Sequence, residues 1–118
     1  MIRCLLALLL WAGVANAQVP PGPPTQSAPY LFIPLGYQQM TSLGSVTSLP
    51  SIPTGAIYAA MVCVNQAVNW RDDGVDPTGS VGNPLPINTQ IIFSEKPLTS
   101  VRIIQTSASA TCNVTYYK

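Results

Sequence analysis

The longest apolar stretch beyond the N-terminal region is AIYAAMVCVN at residues 56–65, where hydrophobic side chains occupy both alternating positions. Successive side chains of a strand point to opposite faces, so Tyr58 and Val62 share one face and Met61 and Cys63 share the other. Apolar residues on both faces are typical of a central strand or of a strand at an interface. Alanine and methionine leave a helix as the competing interpretation, but the β-branched valines and a preceding turn favour a strand.

Two later segments, residues 99–106 and 110–117, alternate along the chain in the way that half-buried strands do. The residues predicted to share a face are Val101 with Ile103, and Cys112 with Val114. A further strand is predicted at residues 89–94. Weaker patterns predict short strands at 31–33 and 36–40 and around Val46.

The segments between these strands carry turn signals. Residues 52–55 (IPTG) predict a turn, and residues 72–86, with three glycines and three prolines, predict a long polar loop. Short strands at intervals of about ten residues, without a helical pattern, predict an all-β domain. The expected fold is a single small antiparallel β-sandwich or jelly-roll-like barrel.

The N-terminal region predicts export. Residues 1–17 have the layout of a signal peptide, with Arg3 before an uncharged apolar run and Ala15-Asn16-Ala17 before a cleavage point. The run is shorter than the ~20 residues of a membrane span, so no membrane attachment is expected after cleavage. Residues 18–29 (QVPPGPPTQSAP) contain five prolines and predict an extended linker, or alternatively a proline-rich ligand for a partner. The β-domain is therefore expected at residues 30–118.

Charge and cysteine content narrow the function classes. The chain carries a formal net charge of +1 and no histidine, so it lacks the basic surface that binds nucleic acid or anionic membranes. Cleavage would leave Cys63 and Cys112, an even number in an oxidising compartment. They predict a disulfide if their strands are neighbours, and two buried free thiols are the alternative.

The segment VNWRDDGVDPTG at residues 68–79 gathers half of the charged residues beyond the leader. Its candidate binding residues are Trp70, Arg71, Asp72, Asp73 and Asp76. Clustered carboxylates around a glycine suit calcium, although the spacing matches no complete EF-hand. The alternative is a turn whose aspartates bind backbone amides while an arginine offsets their charge. Trp70 beside Arg71 can form a stacking platform for a sugar or aromatic ligand, or can close the core at a strand end.

The sequence offers little for catalysis. Without histidine there is no serine or cysteine triad, and no cysteine–histidine set suits zinc. Adjacent carboxylates on one turn seldom face each other across a substrate. We therefore predict no catalytic residue, metal or cofactor. Asn113-Val114-Thr115 matches the acceptor triplet for N-glycosylation in a eukaryotic secretory pathway.

Several motifs resemble a family of small proteins of tailed bacteriophages and prophages. The matching positions are Trp70 to Gly74, Pro77-Thr78, Gly82 and Asn113 to Tyr117, in that order. The resemblance implies a β-rich, oligomeric accessory protein of the virion and no known activity. The signal peptide and the two cysteines are not part of that pattern. They suggest a module adapted for export, or a phage product that acts at the cell envelope.

The expected function is that of a non-enzymatic structural or binding module, secreted, periplasmic or virion-associated, which acts by self-association or by binding a virion or cell-envelope partner. The alternative is a secreted module that binds carbohydrate or calcium through Trp70 and the acidic loop.

Overall fold

The computed structural model describes residues 32–94 and 97–118, so the predicted leader and linker lie outside the described residues. In chain order, its strands are β1 (Pro34–Met40), β2 (Thr47–Ser48), β3 (Tyr58–Val64), β4 (Val68–Arg71), β5 (Asn83–Leu85), β6 (Gln90–Phe93), β7 (Arg102–Gln105) and β8 (Thr111–Tyr117). One 3-10 turn, Leu98–Ser100, precedes β7. No helix in this part of the chain is long and apolar enough to cross a membrane.

The strands form two antiparallel four-stranded sheets. Sheet A has the order β1-β8-β3-β6 and sheet B the order β2-β7-β4-β5. Neither sheet closes on itself, so the predicted all-β sandwich is confirmed and the barrel alternative is not. Apart from β4 and β5, strands that follow each other in the chain lie in different sheets. The chain therefore passes repeatedly between the two layers.

Strand β3 is central, as its two-sided apolar pattern predicts. It pairs with β8 on one side and β6 on the other. Ala59, Met61 and Cys63 are fully buried between the sheets, while the alternate positions are partly buried on the outside. The turn at residues 52–55 is also confirmed, because the Ala56 amide donates to the Pro53 carbonyl and Gly55 has a φ of 83°.

The core lies between the two sheets and contains side chains from both. Its buried hydrophobic members are Met40, Leu43, Leu49, Ala59, Met61, Cys63, Val68, Leu85, Phe93, Leu98, Val101, Ile103, Ala110, Cys112, Val114 and Tyr116. The predictions that Val101 shares a face with Ile103, and Cys112 with Val114, are confirmed, because all four residues belong to this buried set. The hydroxyl of Tyr116 donates to the Pro50 carbonyl. Burial removes that phenol from water and raises its pKa to about 12.

The predicted disulfide is present. Cys63 and Cys112 are directly opposite each other on β3 and β8, with Cα atoms 4.0 Å apart, and both are fully buried. Close Cα atoms are typical of non-hydrogen-bonded pairs in antiparallel sheets. The bond therefore joins the two inner strands of sheet A and leaves sheet B to be held by packing.

The structure corrects three boundaries. The predicted polar loop at 72–86 contains strand β5, which pairs with β4 along the edge of sheet B. Pro84 is tolerated there because an edge strand needs hydrogen bonds on one side only. The predicted strand at 99–106 begins with the 3-10 turn and is shorter. Residues 34–40 form one strand in place of two short ones, and residue 31 lies outside the described residues.

Candidate functional site

Trp70, a predicted binding residue, is directed between the sheets. In sheet B it is opposite Ile103, which is fully buried, and it packs against the core. Its ring meets that of Phe93 in sheet A edge to face, with centroids 5.2 Å apart. This arrangement matches the interpretation in which Trp70 closes the core. It offers little support for a stacking platform at this position.

Arg71 and Asp73 form a two-point ion pair at the surface. The arginine Nε donates to Oδ1 at 3.0 Å, and its Nη2 donates to Oδ2. The amide of Val75 donates to the same Oδ1 at 3.1 Å. These donors lower the pKa of Asp73 to about 2, with the arginine hydrogen bond the largest cause, and the same bond raises the pKa of Arg71. Gly74 makes the turn with a φ of 81°, in agreement with the alternative in which this segment is a turn.

The other two aspartates of the acidic segment are placed apart. Asp76 is 3.6 Å from the guanidinium of Arg102 on β7. Asp72 lines an open depression of about 210 Å³ together with the paired Arg71 and Asp73 and with Gly82 and Asn83. No group of three or more His, Cys, Asp or Glu side chains within residues 32–94 and 97–118 is arranged to hold a metal ion. The geometry thus gives calcium binding little support.

Residues 72–82, which we call the covering loop, fold back over the outer face of sheet B. The side-chain amide of Asn69 on β4 donates to the Thr78 carbonyl at 2.9 Å. The Gly74 amide donates to the Ser100 carbonyl at 3.1 Å. Pro77 is fully buried, and Asn69 is buried with it. This loop therefore seals part of sheet B from solvent and carries three aspartates on its outside.

The outer face of sheet A is different. None of the four strands of this sheet contains a charged residue. One row of neighbours across the face comprises Tyr37, Thr115, Ala60 and Ile92, and the next comprises Gln39, Asn113, Val62 and Gln90. Tyr37 and Ile92 are more than half exposed. A broad, uncharged and partly apolar face is typical of a binding surface rather than of a solvated one.

The glycosylation triplet lies on this face. Asn113 Oδ1 accepts hydrogen bonds from the Tyr37 hydroxyl at 2.6 Å and from Gln39 Nε2 at 3.0 Å. These bonds fix a neutral polar cluster over β1 and β8.

An aromatic groove crosses the other half of the outer face of sheet A. It has a volume of about 190 Å³, and its lining residues are Phe32, Tyr58, Ala60, Gln90, Ile92 and Tyr117. The Phe32 ring meets Tyr58 and Tyr117 edge to face, with centroids 5.2 and 5.7 Å apart. The sequence pattern did not single out this groove. The one available signal was the apolar second face of β3, because the other wall residues come from segments distant in the chain.

Comparisons with known proteins give no further guide, since no protein family, curated protein or solved structure matches this chain.

Proposed function

We propose that this protein is an exported or virion-associated, non-enzymatic module of bacteriophage or prophage origin, which acts by self-association through the outer face of sheet A. The observation that carries the proposal is the difference between the two outer faces. The covering loop and its ion pairs shield sheet B. Sheet A presents strands without a single charge and with exposed tyrosine and isoleucine side chains.

The charge distribution supports contact between like copies. Two identical charged faces would repel each other, whereas two uncharged faces meet without such repulsion. The small net charge of the chain also favours association, because little long-range repulsion opposes it. The buried disulfide is consistent with an oxidising compartment, as export requires.

The phage origin rests on the motifs around Trp70 and Asn113. In the fold, these motifs lie in the corner after β4 and on β8. Capsid or tail genes beside this gene would support the origin, and an unrelated neighbourhood would count against it. Carbohydrate or calcium binding by the acidic segment is less favoured, because Trp70 packs inward and Asp73 is engaged by Arg71.

Light scattering on residues 18–118 tests the self-association directly. We expect a mass above that of one chain, and we expect Ile92→Glu to lower it by placing a charge within the proposed contact. Val81→Glu is the matched control, because Val81 is 55% exposed against 54% for Ile92 but lies on the covering loop. A wild-type mass of one chain at all concentrations would refute the proposal. So would equal effects of the two variants.

A further inference from the structure

We propose that the aromatic groove binds the proline-rich segment, residues 18–29, of a second copy of this chain. The inference rests on the self-association proposed above and assigns its contact. The groove has a volume of about 190 Å³ and is lined by three aromatic rings together with Ile92 and Ala60. Aromatic-lined grooves are the usual receptors for extended proline-rich segments, because rings pack against prolines and the segment loses little entropy on binding.

The groove also supplies polar groups of the appropriate kind. Tyr58 and Tyr117 carry hydroxyls and Gln90 carries a side-chain amide, all at the groove. A polyproline II segment has no internal hydrogen bonds, so its carbonyls are available to such donors. None of the lining side chains is charged, and neither is any side chain of QVPPGPPTQSAP. Groove and segment are therefore matched in polarity.

The length of the segment suits this contact, because four strands about 4.8 Å apart give sheet A a width of roughly 20 Å. Twelve residues in polyproline II conformation span about 37 Å, which is long enough to cross a neighbouring groove and enlarge the contact.

The position of Phe32 indicates that the segment binds the groove of a second copy and not the groove of its own chain. Phe32 is itself part of the groove wall, and the adjacent Ile33 is fixed to Lys118 by two reciprocal backbone hydrogen bonds of 3.0 Å. These bonds continue β1 toward the rim of sheet A. A segment that ends only three residues before Phe32 would have to reverse direction beside its own wall to enter its own groove.

In this contact the segment of one copy occupies the groove of another. Two copies that exchange their segments reciprocally about a two-fold axis form a closed dimer, whereas one-way exchange from copy to copy builds a ring or an open assembly.

The test compares masses by light scattering for three forms of residues 18–118. They are the wild type, the variant P20S/P21S/P23S/P24S, and the matched control T25A/Q26A/S27A in the same segment. We expect the proline variant to fall to the mass of one chain and the control to keep the wild-type mass. The far-ultraviolet circular dichroism should be equal in all three, because no substituted residue belongs to a described strand. An excess of the peptide QVPPGPPTQSAP should dissociate the wild type, and the same peptide with four serines should not.

Other outcomes would overturn the inference in distinguishable ways. If the proline variant keeps the wild-type mass, the segment is not the contact, although self-association through sheet A stands. If the wild type is monomeric and the proline substitutions shift the NMR signals of Ile92 and Gln90, the segment occupies its own groove. If the wild type is monomeric and those signals do not change, both the inference and the proposed self-association are wrong.

Discussion

The disulfide between Cys63 and Cys112 should provide a large share of the free energy of unfolding. The two cysteines are 49 residues apart in sequence, and a cross-link over a loop of this length removes chain entropy from the unfolded state. In the loop-closure relation, 49 residues correspond to about 4 kcal/mol at 25 °C. Domains of this size are stable by only about 5–15 kcal/mol in total. We therefore expect the reduced protein to be folded only marginally.

Equilibrium urea unfolding, followed by the fluorescence of Trp70, measures the effect. For a denaturant dependence of about 1–2 kcal/mol per molar, a loss of 4 kcal/mol lowers the midpoint by roughly 2–4 M. Both sulfurs are buried, so the protein should be reduced in denaturant and refolded in reductant. The reduced form retains both thiols, and its packing therefore changes little. The denaturant dependence should also rise, because an unlinked unfolded chain exposes more surface.

A double variant separates the cross-link from the effect of the reductant. Cys63→Ala with Cys112→Val keeps the core apolar and removes the bond, so its unfolding midpoint should fall as in the reduced protein and be indifferent to reductant. A loss below about 1 kcal/mol in both forms would refute the reasoning. It would mean that the pairing of β3 with β8 already restricts the unfolded ensemble without the bond.

Three further predictions concern the corner after β4. In an NMR titration the carboxyl of Asp73 should have its midpoint near pH 2, and Arg71→Gln should move that midpoint upward. Because the pKa of Asp73 is lowered on folding, its contribution to stability is complete above the ordinary carboxyl pKa and is lost as the pH falls through 2. Gly82→Ala should lower the free energy of unfolding by about 1–3 kcal/mol, since Gly82 has a φ of 143° and a Cβ there would be 3.0 Å from a proline carbon. The control is Gly79→Ala, whose Cβ would meet nothing closer than 3.9 Å, and it should change the urea midpoint little. Trp70→Ala should lower the free energy of unfolding by about 3 kcal/mol in thermal or urea unfolding, because it removes the edge-to-face contact with the facing sheet. An unchanged melting temperature would show that the ring does not close the core and would support its alternative role as a binding group.

The sequence predicted those features that depend on local alternation. Buried and outward positions along β3 and β8 follow directly from their apolar pattern, because one face of each must be covered. The proline and glycine of the 52–55 turn likewise act within a few residues. The disulfide between Cys63 and Cys112 was predicted from export and an even number of cysteines. The strand register that places them opposite each other was not predicted.

Features that depend on distant segments could not be predicted in this way. Strand β5 has one buried residue, Leu85, and its proline weakens the strand pattern, so only pairing with β4 reveals it. The covering loop follows from contacts of Asn69 and Gly82, which no periodicity encodes. The aromatic groove brings together residues from positions 32, 58, 92 and 117. With one exception, each strand is followed in the chain by a strand of the other sheet, so neighbours in space are distant in sequence.

The reciprocal hydrogen bonds between Ile33 and Lys118 have a consequence for protein engineering. They bring the first and last described strands of the sandwich side by side at one rim, only one hydrogen-bond length apart. A short linker across this point would join β8 to β1, and new termini could be opened near Gly79 and Ser80 in the covering loop. Domains whose ends meet are the ones that tolerate circular permutation and insertion into a host protein. Such a permuted chain would carry fusion partners on the sheet B side and leave the outer face of sheet A unobstructed.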